Sequence, residues 1–377
     1  MAIGCAQEYT ALIVRQPGDA TNMGIMPSAL GTIEEITFLE WGRLFSIMST
    51  ARIEFTRCPT NCGFMEDLKP WAYELWLYRD GVFAWSGPIV IKRNDRESGK
   101  FEITAWDVTG YTQRRTMRDY YTNTDNPTSV AVSLANTFFL GTFDYPDPAF
   151  TQYMQVLGLS TSTVTVEYDG DLYTVSSKWA EMVNAGFNYS TFGRYTLMMG
   201  ETAPNIDNPF VIDATDFLGN MELVEDGTDF AIRVVGTGEG ISTFSGAVPT
   251  EVEYYGMIDW PPIRYPGITS AVQLGQLTVA LLNQKRDLSP ELVIPAGSSL
   301  ASTTEIYSLG YEIQTATPVA LPNLLAGMRY DIQVEEEQFC APGRYPMRLN
   351  EMKVTWSPET QEKIAVSLGT LGFPEDE

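Results

Sequence analysis

Between Trp71 and Ile91 the chain reads WAYELWLYRDGVFAWSGPIVI, and side-chain character alternates with the two-residue period of a strand. Trp71, Tyr73, Leu75 and Leu77 make one face of the first arm apolar, while Ala72, Glu74, Trp76 and Tyr78 give the other face aromatic rings and one charge, so both faces are expected to be covered. Asp80-Gly81 tolerates positive φ at both central positions of a type I′ turn, whose twist matches the strands it joins. Gly87-Pro88 interrupts the second arm, which suits a bulge or an edge where a missing N–H costs nothing. After the polar turn RNDRESGK, the run FEITAWDV alternates again, with Phe101, Ile103 and Ala105 on one side. The pattern predicts an antiparallel three-stranded meander.

The remaining patterns extend this picture in both directions. Tyr9 to Val14, Ile33 to Phe38, Trp41 to Ser49 and Ala51 to Arg57 read as strands, and the turn-rich stretch from Gln16 to Gly31 reads as a loop or arm. Together they predict a β-rich first domain, a small barrel built from strands at hairpin spacing. The texture then changes. Asn126-Pro127 starts a helix through Leu140 that Gly141 ends, Thr161 to Tyr168 is a strand rich in β-branched residues, and Ser176 and Ser177 cap a helix over Lys178 to Ala185. Gly193 to Met199 returns as a strand. Met221 to Gly236 predicts a second hairpin with Asp226-Gly227 at its turn, and Gly236, Gly238 and Gly240 form a turn and not a phosphate loop, because no helix follows. Trp260-Pro261-Pro262 with Tyr265-Pro266-Gly267 marks a linker. Beyond it come a helix over Thr269 to Arg286 and strands at Glu291 to Ile294, Glu305 to Thr315, Met328 to Glu335, Tyr345 to Trp356 and Lys363 to Leu368. The expected class is α+β, mainly β. Residues 1–122 form a first β domain to which 203–260 return, residues 123–202 an inserted α/β domain, and residues 261–377 a second β domain with one packed helix.

Length and charge narrow the function. At 377 residues with 44% apolar and 12% aromatic content, the chain has ample material for two to three folded domains. Its net charge of −24 opposes direct binding to phosphates or anionic lipid. The first residues lack the charged, apolar, small-residue order of a secretory signal, and no stretch has the run of apolar residues that a membrane helix needs, so neither export nor stable membrane insertion is expected. Cys5, Cys58, Cys62 and Cys340 are compatible with two disulfides, a zinc site or free thiols, and free thiols in a reducing cytoplasm are the expectation.

Histidine is absent, which removes Ser-His and Cys-His nucleophile systems and the usual His-bearing metal sites. Among 48 acidic residues, carboxylate pairs such as Asp144 with Asp147, or Glu335 to Glu337, arise without meaning, and solvated acids are the simpler reading. Arg114, Arg115 and Arg118 cluster beside Tyr120 and Tyr121, as local ion pairs or as a charge-complementary contact with a neighbouring subunit. The chain shows no nucleophile elbow, P-loop or metal-ligand box. The residues therefore favour a non-enzyme, with no catalytic, cofactor-binding or metal-binding residue singled out and no cofactor expected.

The run ELWLYRDGVFAWSGPIV, followed by FEITAWDVTGYTQRR, resembles the minor tail proteins of actinobacterial siphoviruses, in which a Leu-Tyr-Arg-Asp-Gly turn precedes a Trp-x-Gly-Pro strand. MELVEDGTDFAIRVVGTGEG resembles the later hairpin of that family, and RYPMRLNEMKVTWSPETQEKIAVSLG its closing strands; residues 1–30 and 123–200 match weakly. Such proteins are similar to the hub of a contractile-tail baseplate. The resemblance implies a homotrimer in which two small tail-tube-like β-barrel domains per chain form a pseudo-sixfold ring between tail tube and tip. It also implies a place in the virion at the tail tip after synthesis in the host cytoplasm, and contact with other tail proteins (distal tail ring, tape measure, tip or fibre proteins). DNA would pass through the lumen during ejection without specific binding. The alternatives are another tail component, either a distal tail ring or an adhesion-bearing tip protein, and, further off, a β-rich carboxylate-dependent glycoside hydrolase.

Overall fold

The computed structural model describes residues 8–15, 29–117, 120–140, 154–158, 163–168, 173–183, 186–192, 195–200, 203–218, 221–224, 227–246, 249–265, 269–286, 291–293, 298–300, 324–335, 342–360 and 362–370. The chain is mainly β and divides into two units, residues 1–219 with 295–371 and residues 220–294 with 372–377.

The first unit opens with β1 (Tyr9–Arg15), β2 (Ala29–Ile33), β3 (Ile36–Leu44), β4 (Thr50–Thr56), β5 (Tyr73–Arg79), β6 (Val82–Asp95) and β7 (Lys100–Trp106). β5 and β6 meet at Asp80-Gly81, whose φ angles of 48° and 78° are those of the type I′ turn. β6 is long because it changes partner halfway: Val82 to Pro88 pair with β5, and Ile89 to Asp95 pair with β7. Gly87-Pro88 makes the change possible. A Cβ on Gly87 would lie 1.7 Å from the Trp106 carbonyl oxygen, and Pro88 has no N–H to leave unpaired. The expected inward row Phe101, Ile103 and Ala105 is buried, facing Ala51, Ile53 and Phe55 of β4. The segments read as strands at Ile33 to Phe38 and Trp41 to Ser49 share one strand, β3, from Ile36 to Leu44, because Glu40 stays in register with Arg52 of β4 and Thr355 on its other side; Ile33 ends β2.

After β7, β8 (Tyr121–Asp125), β9 (Met154–Val156), β10 (Val164–Tyr168), β11 (Asn188–Phe192) and β12 (Tyr195–Met199) combine with two helices, Pro127–Leu140 and Val175–Val183. Their shared core includes Val130, Leu134, Phe138, Trp179, Phe187 and Tyr189. Pro127 takes the first helical position, and the Asn126 side chain accepts from the Ser129 N–H at 2.9 Å, as a helix start requires. The second helix starts one turn earlier than read from Ser176-Ser177: Thr174 is its cap, exchanging hydrogen bonds with Ser177 at 3.1 and 3.2 Å.

β13 (Phe210–Asp213) and β14 (Phe217–Leu218) lead out of this unit, and the chain returns through β20 (Ser298–Leu300), β21 (Arg329–Val334), β22 (Gly343–Trp356) and β23 (Lys363–Thr370). β22 repeats the device of β6: Gly343 to Arg348 pair with β21, and Glu351 to Trp356 pair with β3, with a register shift between Leu349 and Glu351. One open sheet results, in the order β14-β20-β23-β22-β3-β4-β7-β6-β5-β1-β2 with β21 and β13 branching from β22. The strand expected at Glu305 to Thr315 lies outside the described residues.

Side chains bring distant parts of this sheet together. Glu362, in the turn between β22 and β23, has a side chain only 1% exposed. Arg79 at the end of β5 donates to it from Nε at 2.9 Å and from Nη2 at 2.5 Å, and the Tyr9 hydroxyl of β1 donates to Oε1 at 2.5 Å. The Trp41 indole N–H donates to the Tyr9 hydroxyl at 3.4 Å, and the Tyr9 ring lies 5.6 Å from that of Trp356.

The second unit contains β15 (Glu222–Val224), β16 (Arg233–Thr237), β17 (Ser242–Gly246), β18 (Ile263–Arg264), β19 (Glu291–Val293) and the helices Pro249–Tyr255 and Ala271–Arg286. The hairpin expected over Met221 to Gly236 does not form. β15 pairs with β19 instead, and β16 pairs with β17 across the glycine-rich turn. Val234-Val235 finds a better partner in Phe244-Ser245, which is close in sequence and joined by residues that tolerate a tight reversal, than in the acidic segment before Asp226.

Two outcomes follow from the buried polar groups of the first unit. Glu362→Leu alone should cost about 3–5 kcal/mol because it strands a half-buried guanidinium, and Arg79→Met combined with Glu362→Leu should recover much of that loss; urea midpoints of the single and double variants measure it. The phenols of Tyr9, Tyr189 and Tyr330 are pushed above their ordinary value of 10.0, first by burial, and that of Tyr168 is pushed up to about 12 by the same cause. A group whose folded pKa is raised stabilises the fold in full below its unfolded value, so stability should be flat up to pH 10 and fall above it. Urea midpoints that stay constant through alkaline pH, with phenolate absorbance appearing before unfolding, would contradict this.

Candidate functional site

The acidic pairs prominent in the sequence do not assemble into a reactive pair here. Asp144 and Asp147 lie outside the described residues, as do Glu336 and Glu337, while Glu335 follows the end of β21. Among the described residues, no group of three Asp, Glu or Cys side chains is arranged to hold a metal ion. Cys58 and Cys62 are free thiols: Cys58 caps the helix Pro59–Asp67, accepting from the Asn61 N–H at 3.4 Å, and Cys62 sits one turn on. Cys5, Cys340 and Arg118 are outside the described residues. Arg114 stacks over the Trp71 ring at 4.8 Å, and Arg115 donates from Nε to the Phe138 carbonyl at 2.5 Å. Both arginines are thus engaged within the chain.

Two buried charges position the pieces of the first unit. Asp107, 1% exposed at the end of β7, accepts from the N–H and hydroxyl of Ser49 at 2.5 and 2.7 Å and from the N–H and hydroxyl of Thr109 at 2.9 and 2.5 Å. The Thr191 hydroxyl of β11 adds a longer bond at 3.3 Å. Burial raises the Asp107 pKa, and the Ser49 and Thr109 donors oppose that rise. Arg43, also 1% exposed, donates to the carbonyls of Leu324 at 2.9 Å and Ala84 at 3.1 Å, and its guanidinium lies over the rings of Phe192 and Trp41. Burial lowers its pKa to about 10. These groups join β3, β6, β11 and the approach to β21. Their chemistry is that of internal fasteners. Sequence reading passed over all of them; the signal that could have found one is the Asp-x-Thr spacing of Asp107 and Thr109, the signature of a side chain bonding its own backbone two residues on.

Outward-facing chemistry is most concentrated in the second unit. The helix Ala271–Arg286 lies on the sheet β17-β16-β18: a Cβ on Gly236 would fall 2.3 Å from Cγ2 of Thr278, and the Ser245 and Thr278 hydroxyls are 3.1 Å apart. Leu274, Thr278 and Leu282 are the helix's buried residues on that side. Because successive strand residues alternate, Val235 and its registered partner Phe244 point away from the helix. Phe244 is 69% exposed. Gln276 points most directly away from the sheet, and Val272, 74% exposed, and Val279, 47% exposed, lie on the flank of the helix. Both the helix and the sheet of this unit therefore carry exposed apolar side chains.

No family model matches the sequence. No curated protein matches it either. The fold does have solved counterparts. It superposes on a tail protein from Neisseria meningitidis MC58 with a TM-score of 0.56 at 11% identity, over 96% of each chain. The 43 kDa tail protein of prophage MuSo2 from Shewanella oneidensis also gives a TM-score of 0.56, at 9% identity, over 96% of this chain and 98% of that one. An E. coli component of the type VI secretion system, described as structurally similar to the T4 bacteriophage tail proteins gp27 and gp5, gives 0.50 at 7% identity over 90% of this chain and 74% of that one. The chain thus has, over nearly its whole length, the fold found in phage tail proteins and in a type VI secretion component.

Proposed function

We propose that this protein is a structural hub at the tail tip of a siphovirus, a trimer whose copies form a pseudo-hexameric ring that joins the tail tube to the tip. The observation that carries the reading is the junction of β3 with β22. It makes one sheet from β1–β7, within residues 1–122, and β20–β23, within residues 261–377, so that each copy offers two strand-rich halves side by side. Two tube-like halves per copy are what three copies need in order to match a sixfold tube. The fold shared with tail proteins over 96% of the chain supports the same reading. In this reading residues 123–202 are an insert on the first half, and the second unit is a module between the halves in sequence.

The hub is not an enzyme in this proposal. The buried carboxylates Asp107 and Glu362 are committed to Ser, Thr, Tyr and Arg donors, whereas a glycosidase needs a pair of carboxylates facing its substrate. The charge of −24 per copy suits a ring through which DNA passes during ejection, because an acidic lumen repels phosphates and keeps the strand from sticking. Its neighbours would be other tail proteins: the distal ring, the tape measure and the tip or fibre proteins. A distal tail ring or an adhesion-bearing tip protein is the alternative within the same assembly.

Electron cryo-microscopy of the intact particle tests this. The expected result is threefold density at the tail tip that accepts three copies of this chain, with two sheet halves per copy around an acidic channel. Sixfold density would make the protein a distal ring, and its absence from the tip would remove the hub reading.

A further inference from the structure

We draw no further inference here: the strongest candidate, the side-chain pair of free thiols Cys58 and Cys62 one turn apart at the start of the helix Pro59–Asp67, rests on a helix N-terminus, and nothing in the structure points to a ligand for it.

Discussion

A carboxylate taken out of water needs a cation and further donors around it, and Glu362 obtains them from residues hundreds of positions away. Arg79 grips it with two nitrogens and Tyr9 supplies a hydroxyl, so the turn after β22 is held against the ends of β1 and β5. Those strands stand well apart in the sheet order, β22 near one end and β5 and β1 near the other. The backbone ladder stays open. Curvature is instead held by a buried ionic clasp flanked by Trp41 and Trp356, and the sheet depends on that clasp because no hydrogen-bonded strand pair bridges the same gap among the described residues.

Curvature also needs strands that pass from one partner to another. β6 and β22, each fourteen residues long, do this at defined points: β6 at Gly87-Pro88, where a side chain would collide with the Trp106 carbonyl, and β22 at the bulge near Asn350. Asp107 and Arg43 then fix what lies against the curved sheet. Each is a charge surrounded by neutral donors or carbonyls and aromatic faces, an arrangement that tolerates burial only while every contact stays in register.

The surface follows a different logic from the interior: the chain carries a net charge of −24, while the helix Ala271–Arg286 has no charged residue before Lys285.

Short-range features were legible in the amino-acid order alone. Asp80-Gly81 dictated its turn, the alternation in β4, β5 and β7 dictated which side chains face inward, and Asn126-Pro127 dictated a helix start, because each depends on residues within a few positions of one another. The mainly β class followed from the same local rules. Pairing between distant segments did not. Asp226-Gly227 carries the same turn chemistry as Asp80-Gly81, yet β15 pairs with β19 and β16 with β17, because the ladder is chosen by which faces bury best once the chain has collapsed. Glu362 and Asp107 looked like two more solvated acids among many. Only the tertiary structure could make them buried anchors, since an acid's role is decided by the donors that surround it, and Arg79 lies 283 residues from Glu362.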